Sequence, residues 1–279
     1  MKQPTKGVIM MRWSSSGTFL ALVCMEPTLG WSWIDRRSML FSLSVACSAA
    51  PVAAAPVGAV PAPATAEDQL KIYFGAGCFW HVQHELFQEE LGILQRNGIQ
   101  ISARTGYAGG SRLGPDGRIC YHNREGVGDY GELGYAEAVE VTIPASALPA
   151  FSRRYFSLFG SRGYRHDPQD TGGEYRSVLG LPGGAKSPLF EAVREAAANS
   201  PMRLLVGEGD EPDTLGAKVV LVYDSNQFQF HPAEVYHQFH NDFASPPYGA
   251  AYNRLQLELL QAGRIGRTGC PERKRGGLY

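Results

Sequence analysis

Two residues stand out for the chemistry they could do: Cys78, in the run Phe74-Gly75-Ala76-Gly77-Cys78-Phe79-Trp80, and Glu137, inside an alternating apolar segment. Cys78 falls where an apolar strand ends and a helical pattern begins. The first turn of a helix offers unpaired N–H groups and the positive end of the helix dipole, which favour a thiolate. The thiolate is the nucleophilic form. Gly75 and Gly77 let the backbone turn sharply and keep the approach to the sulfur open, and Phe79 and Trp80 are placed to wall an apolar pocket beside it. A structural role fits the same residue, because free cysteine is among the most buried residue types.

Glu137 shares strand parity with Val139, Val141 and Ile143, the side expected to face the core. A carboxyl in apolar surroundings is harder to ionise, and one that stays protonated near neutral pH can serve as a general acid. The competing role is a core-edge glutamate paired with Arg104 or Arg176. Tyr121, Asp170 and Tyr175 lie near strand or loop ends, where sites are commonly built. His231, Glu234, His237 and His240 have loosely metal-like spacing but lack the tight pairs or cysteines of a zinc set, so no metal is expected.

The elements that position these residues follow from periodicity. Residues 70–76, 100–106, 135–143, 175–181, 203–208 and 217–224 read as strands. Residues 78–91, 144–159 and 187–198 carry helical apolar stripes, and 234–243 is expected to be a last helix. Residues 111–134 form a polar, Gly-rich loop of functional length. From 244 onward Pro, Gly, Arg and Lys predict a mobile tail. Strands and helices mix without a strict βαβ rhythm. This predicts an α+β fold: a two-layer sandwich with a central mixed sheet, flanking helices, a ferredoxin-like core and an irregular tail.

Charged residues are 19% and hydrophobic residues 44% of the 279, as in an ordinary folded protein. A net charge of −1 gives no reason to expect nucleic acid or an anionic surface as partner. The five cysteines contain no C-x-x-C pair, which argues against a thioredoxin-type motif or zinc ribbon. Residues 1–66 read as targeting sequence rather than domain. Residues 1–35 are rich in Ser, Thr and Met with only Glu26 and Asp35 as acids. Arg36-Arg37-Ser38 then precedes a short apolar run and an Ala-rich zone. That apolar run is too short and interrupted to span a bilayer. Two signals in series suit import into a plastid and onward to its lumen; a single secretory or periplasmic signal is the alternative. Cys24 and Cys47 would leave with this segment.

Five motifs occur in order: Gly77-Cys78-Phe79-Trp80, Gly106-Tyr107-Ala108-Gly109-Gly110, Gly134-Tyr135-Ala136-Glu137, Glu174-Tyr175-Arg176-Ser177 and Pro232-Ala233-Glu234-x-Tyr236-His237-Gln238. Together they resemble the peptide methionine sulfoxide reductase A family, over residues 72–243. The resemblance implies reduction of methionine S-sulfoxide by Cys78, with Glu137 protonating the sulfoxide oxygen. It implies that Tyr121 and Tyr175 hydrogen-bond that oxygen, Asp170 supports them, and Phe79 and Trp80 hold the substrate methyl. The Cys78 sulfenic acid so formed must condense with a second thiol. Cys270, in a Gly-rich tail, is the favoured resolving residue, Cys120 its competitor, and direct recycling by an external thiol a third route. No bound cofactor or metal is implied. Thioredoxin or a similar dithiol would be the donor, and the chain would act as a monomer on oxidised proteins or free methionine sulfoxide.

The chain departs from the family pattern at His81 (usually Gly), Tyr135 (usually His) and Glu174 (usually Gln), and in the reshaped loop around Tyr121. Glu174 adds a carboxylate that could raise the pKa of Glu137 or alter donor docking. Two other function classes compete. A cysteine hydrolase would pair Cys78 with a histidine such as His237 and need an orienting Asn or Asp. A redox-sensing or sulfoxide-binding module would keep Cys78 without turnover.

Overall fold

The computed structural model describes residues 69–271. The targeting segment expected over 1–66 lies outside the described residues, as do the last eight.

Seven strands form one mixed sheet in the order β5-β6-β4-β1-β3-β2-β7. They are β1 (Gln69–Gly75), β2 (Arg104–Ala108), β3 (Ala136–Pro144), β4 (Val178–Leu181), β5 (Arg203–Val206), β6 (Val219–Asp224) and β7 (His231–Pro232). The four helices are α1 (Phe79–Ile93), α2 (Leu148–Ser157), α3 (Phe190–Ala197) and α4 (Ala250–Gln261). The central strands β4-β1-β3-β2 are antiparallel and connected β1α1β2β3α2β4, the ferredoxin-like split βαβ arrangement. β6 joins β4 and β5 joins β6 in parallel, so the sheet is mixed.

Strand alternation divides the sheet into two faces. Ile72, Phe74, Val139, Val141 and Ile143 turn to one side and bury with Val82, Leu86 and Phe151 of α1 and α2. Tyr73, Ala136, Ala138, Val178, Leu221 and Tyr223 form a smaller cluster on the other. Gly75 is required where β1 crosses β3, since a Cβ there would lie 2.4 Å from the Glu137 carbonyl oxygen.

Several elements differ from expectation: β4 starts at Val178 after a 3₁₀ turn over Gly173–Tyr175, β5 ends at Val206, and three further differences have a visible cause. β2 begins at Arg104 rather than near 100, because the buried Glu90 carboxylate of α1 takes the N–H groups of Ser102 and Ala103 at 2.7–3.0 Å. No helix spans 234–243. A single 3₁₀ turn covers Val235–His237, and Gln238 reaches across to β2, accepting from Thr105 N–H and donating to Thr105 and Ala233 carbonyls. The tail expected from 244 contains α4, whose Tyr252, Leu255 and Leu259 stripe is buried against the core. Basic and small residues around that stripe hide it in the sequence.

Candidate active site

Cys78 occupies the residue before α1, with Gly77 in a left-handed turn at φ 77°. A Cβ on Gly77 would meet Asp170 Oδ2 at 2.7 Å, so only glycine lets this turn press against the 170 segment. That segment is fastened to the turn, because Cys78 N–H donates to Asp170 Oδ2 at 2.8 Å and Gly77 N–H to the Tyr175 carbonyl at 3.2 Å. Arg165 in turn holds the Asp170 carbonyl at 2.6 Å.

The Glu137 carboxyl comes up beneath the same turn from β3 and is 2% exposed. Its Oε2 accepts the Phe79 N–H at 2.8 Å, and its Oε1 lies 3.4 Å from the Tyr130 hydroxyl. Neither Arg104 nor Arg176 pairs with it. Arg176 is buried with its guanidinium on the carbonyls of Gly109, Gly134 and Gly173 and on the Tyr223 hydroxyl. Burial pushes the Glu137 pKa up to about 8, with the nearby Asp170 and Glu174 carboxylates adding to it and the Phe79 N–H opposing. Glu174 therefore acts on Glu137 in the direction its charge requires, as the smallest of these contributions.

The helix-start argument for a low thiol pKa is overturned. Burial raises Cys78 well above the usual thiol value, and the Glu137 charge raises it further, while the N–H groups of Trp80 and His81 only partly oppose them. With Glu137 raised to about 8 and Cys78 raised well above the thiol value, both groups hold their protons at neutral pH.

Tyr121 and Tyr175 complete a small enclosed pocket of about 60 Å³ lined also by Cys78, Phe79, Trp80, Glu137 and Asp170. This is far below the several hundred Å³ of a site for a drug-sized ligand or cofactor. It suits the end of a side chain. Burial raises the Tyr175 pKa, so its hydroxyl stays a hydrogen-bond donor at neutral pH. All seven predicted catalytic and substrate residues therefore line one cavity. His81 and His166 stack at its rim (centroids 3.8 Å, planes 9° apart), beside Asp242.

Supporting residues went unassigned in the sequence. Glu234 anchors the loop before the pocket by accepting Tyr121 N–H at 2.8 Å and the Tyr107 hydroxyl at 2.7 Å. His122 bridges Asp129 at 2.8 Å and Glu174 at 3.1 Å, tying the Tyr121 loop to the Tyr175 turn. Those bonds, to Glu174 first, raise the His122 pKa to about 9 against partial burial. The metal-like set is dispersed. Glu234 serves as described, His237 packs on Phe79 and Tyr121, and His240 stacks on Trp80 at 4.2 Å. His237 does not line the Cys78 pocket.

The two competing resolving cysteines are joined to one another. Cys120 and Cys270 form a disulfide across 150 residues of sequence, and Cys78 is free.

A half-buried thiol, a buried carboxyl and two tyrosines thus share one pocket on a ferredoxin-like α+β sheet. The family model for peptide methionine sulfoxide reductase matches residues 70–262. The chain belongs to that family. It is 33% identical over 117 residues to the peptide methionine sulfoxide reductase MsrA of Geobacter sulfurreducens, an alignment covering 39% of this chain and 59% of that protein. The match thus spans less than two thirds of the relative. Among solved structures, methionine sulfoxide reductase A of Corynebacterium diphtheriae aligns at 19% identity and TM-score 0.40, covering 76% of this chain and 82% of the other. Reduced Mxr1 from Saccharomyces cerevisiae aligns at 19% identity and TM-score 0.39, covering 62% and 84%.

Proposed function

We propose that the chain reduces methionine S-sulfoxide, free or in proteins, to methionine. The observation that carries this is the protonatable Glu137 carboxyl, raised to about 8, on the same 60 Å³ pocket as the free Cys78. Sulfoxide oxygen leaves only once protonated, so a nucleophilic thiol beside a neutral acid is the pair the reaction needs. Phe79 and Trp80 hold the methyl group, and Tyr121 and Tyr175 donate to the oxygen. Cys78 sulfur attacks the sulfoxide sulfur, the thiol and Glu137 protons go to the oxygen, and the S–O bond breaks to release water. Water then attacks the Cys78 sulfur, the S–S bond breaks with its electron pair on methionine, and the released proton returns to Glu137. Methionine leaves, and Cys78 holds the water oxygen as a sulfenic acid.

Cys270 then condenses with the sulfenic acid, releasing water, and Cys120 attacks Cys270 to free Cys78. The Cys120–Cys270 bond, with Cys78 free, fits the end of that relay. A thioredoxin-like dithiol returns the pair to thiols. Residues 1–66 direct the chain to a plastid or its lumen.

The test is to incubate residues 66–279 with each epimer of a methionine sulfoxide peptide and dithiothreitol. Reduction of the S epimer alone, abolished in Cys78→Ser, is expected. Turnover surviving in Cys78→Ser refutes the mechanism. Thiol-independent amide or ester cleavage would instead support the hydrolase class, and saturable sulfoxide binding without turnover the sensing module.

A further inference from the structure

Reducing the Cys120–Cys270 bond leaves two thiols and a carboxylate in one buried spot. Cys120 Sγ, Cys270 Sγ and a Glu234 carboxylate oxygen all lie within 4.8 Å of one another, and all three residues are buried. They come from three distant stretches of the chain, and none lines the Cys78 pocket. Cys120 is fixed on its loop: its N–H donates to the Gly128 carbonyl at 2.7 Å, and its carbonyl accepts the Tyr130 N–H at 2.9 Å. Glu234 is aimed by the Tyr121 N–H on Oε1 and the Tyr107 hydroxyl on Oε2. Cys270 follows α4 on a segment with neither helix nor strand, fastened by Arg118 donating to the Gly269 carbonyl at 2.8 Å.

Once opened, this trio is a chelate. Two thiolates and a carboxylate are ligands that zinc takes, with Zn–S about 2.3 Å, and tetrahedral geometry then sets the sulfurs about 3.8 Å apart. The two Cα atoms stand 5.6 Å apart, so rotation of the Cys270 side chain and a small shift of its irregular segment supply that opening. Soft thiolates favour zinc over magnesium or calcium. A ligating carboxylate is ordinarily held by hydrogen bonds of its own, as Glu234 is. Cys270 is 8% exposed and Cys120 0%, which puts the way in on the Cys270 side. We propose that the reduced Cys120–Cys270 pair and Glu234 form a zinc site, with water in the fourth position, that exists in the dithiol state and is abolished by the disulfide.

The step balances. A dithiol donor gives two electrons and two protons to the S–S bond, leaving two protein thiols and the donor's own disulfide. Zn²⁺ then displaces both thiol protons to solvent, and no electron passes to the metal. The site needs only a reduced pair; its effect on turnover rests on the reading that this pair recycles Cys78. Cys270 cannot attack the Cys78 sulfenic acid while its sulfur is bonded to zinc, so an occupied site halts the relay after one methionine is formed.

The full chain carrying Cys24→Ser, Cys47→Ser and Cys78→Ser keeps only these two thiols. Reduced with dithiothreitol and freed of it under nitrogen, it is titrated with Co²⁺, whose thiolate charge-transfer and tetrahedral d–d bands report the ligands. One equivalent is expected to bind and to be displaced by Zn²⁺ with loss of colour, and the disulfide form should give no bands. Cys120→Ser in this background should lose most of the charge-transfer band. Glu234→Gln keeps an oxygen for the Tyr121 N–H and should bind Co²⁺ at least about tenfold more weakly, since outer-shell partners alone are worth that much. Its return to a disulfide on reoxidation, read by thiol count, shows that it folds. No bands in the reduced protein, equal uptake by the disulfide form, or an unchanged affinity in Glu234→Gln overturns the proposal. Reduced wild type given sulfoxide without a donor should form one equivalent of methionine with or without zinc, and peptide mapping should find the Cys120–Cys270 bond only without it. That bond forming in zinc-loaded protein overturns the block on the relay. Absence of methionine in both samples would instead strike the reductase reading, with the cobalt bands still deciding the site.

Discussion

Glu137→Gln separates the catalytic proton of this site from its shape. Glutamine keeps an oxygen for the Phe79 N–H, now accepted at 2.8 Å by Oε2, and a polar group beside the Tyr130 hydroxyl. It has no proton to give. Loss of a general acid of this kind is worth about a hundredfold or more in kcat. The same proton has a stability signature. The folded pKa is about 8, against 4.5 for an ordinary glutamate. Through that window the native state holds a proton that the unfolded chain has released, so the slope of unfolding free energy with pH is negative. Wild-type stability therefore falls as pH rises from 4.5 through 8, by on the order of 5 kcal/mol in all at about 1.4 kcal/mol per pH unit. The variant lacks this contribution, and the titration of groups not coupled to Glu137 cancels in the comparison. Urea unfolding of both proteins near pH 5 and pH 8.5 should show the variant gaining several kcal/mol on wild type at the higher pH. The kcat/KM profile of wild type should fall above about pH 8 as Glu137 ionises, and the variant should lose that limb. Parallel stability curves, or a variant that keeps both the wild-type rate and the alkaline limb, would refute the reasoning.

Arg176→Met should destabilise the fold by about 3 kcal/mol or more, read as a lowered Tm, because three carbonyls and the Tyr223 hydroxyl lose their buried donor together. In Cys120→Ser, one equivalent of sulfoxide should leave a Cys78–Cys270 bond detectable by peptide mass mapping. In Cys270→Ser, Cys78 should remain as a sulfenic acid that a dimedone probe labels. His122→Ala frees the Tyr121 loop from the Tyr175 turn and should raise KM for the sulfoxide more than it lowers kcat. Its folded pKa of about 9 lies above the 6.5 of an ordinary histidine, so its stabilising effect is complete below 6.5 and fades as pH rises through 9. Solvent screening of the half-exposed ring keeps that effect below about 1 kcal/mol.

Local chemistry made part of this protein legible before its structure. The glycines around Cys78, the alternation that turns Glu137 inward and the apolar runs of β1, β3 and β6 are properties of short segments, and the structure keeps them. Tyr121, Asp170 and Tyr175 were also recognisable from motif context, and they do converge on Cys78. What sequence could not determine depends on groups far apart in the chain. Gln238 bonds to Thr105 and replaces an expected helix with an extended crossing. Glu90 takes the N–H groups that would have lengthened β2. The Cys78 thiol is raised rather than lowered because its burial and the Glu137 charge outweigh the helix start. Cys120 and Cys270, weighed as rivals, are partners across 150 residues. Periodicity and backbone preference act over a few residues and can be read in order. Desolvation, cross-chain hydrogen bonds and disulfide pairing depend on which distant groups the fold brings together, and only the tertiary structure decides that.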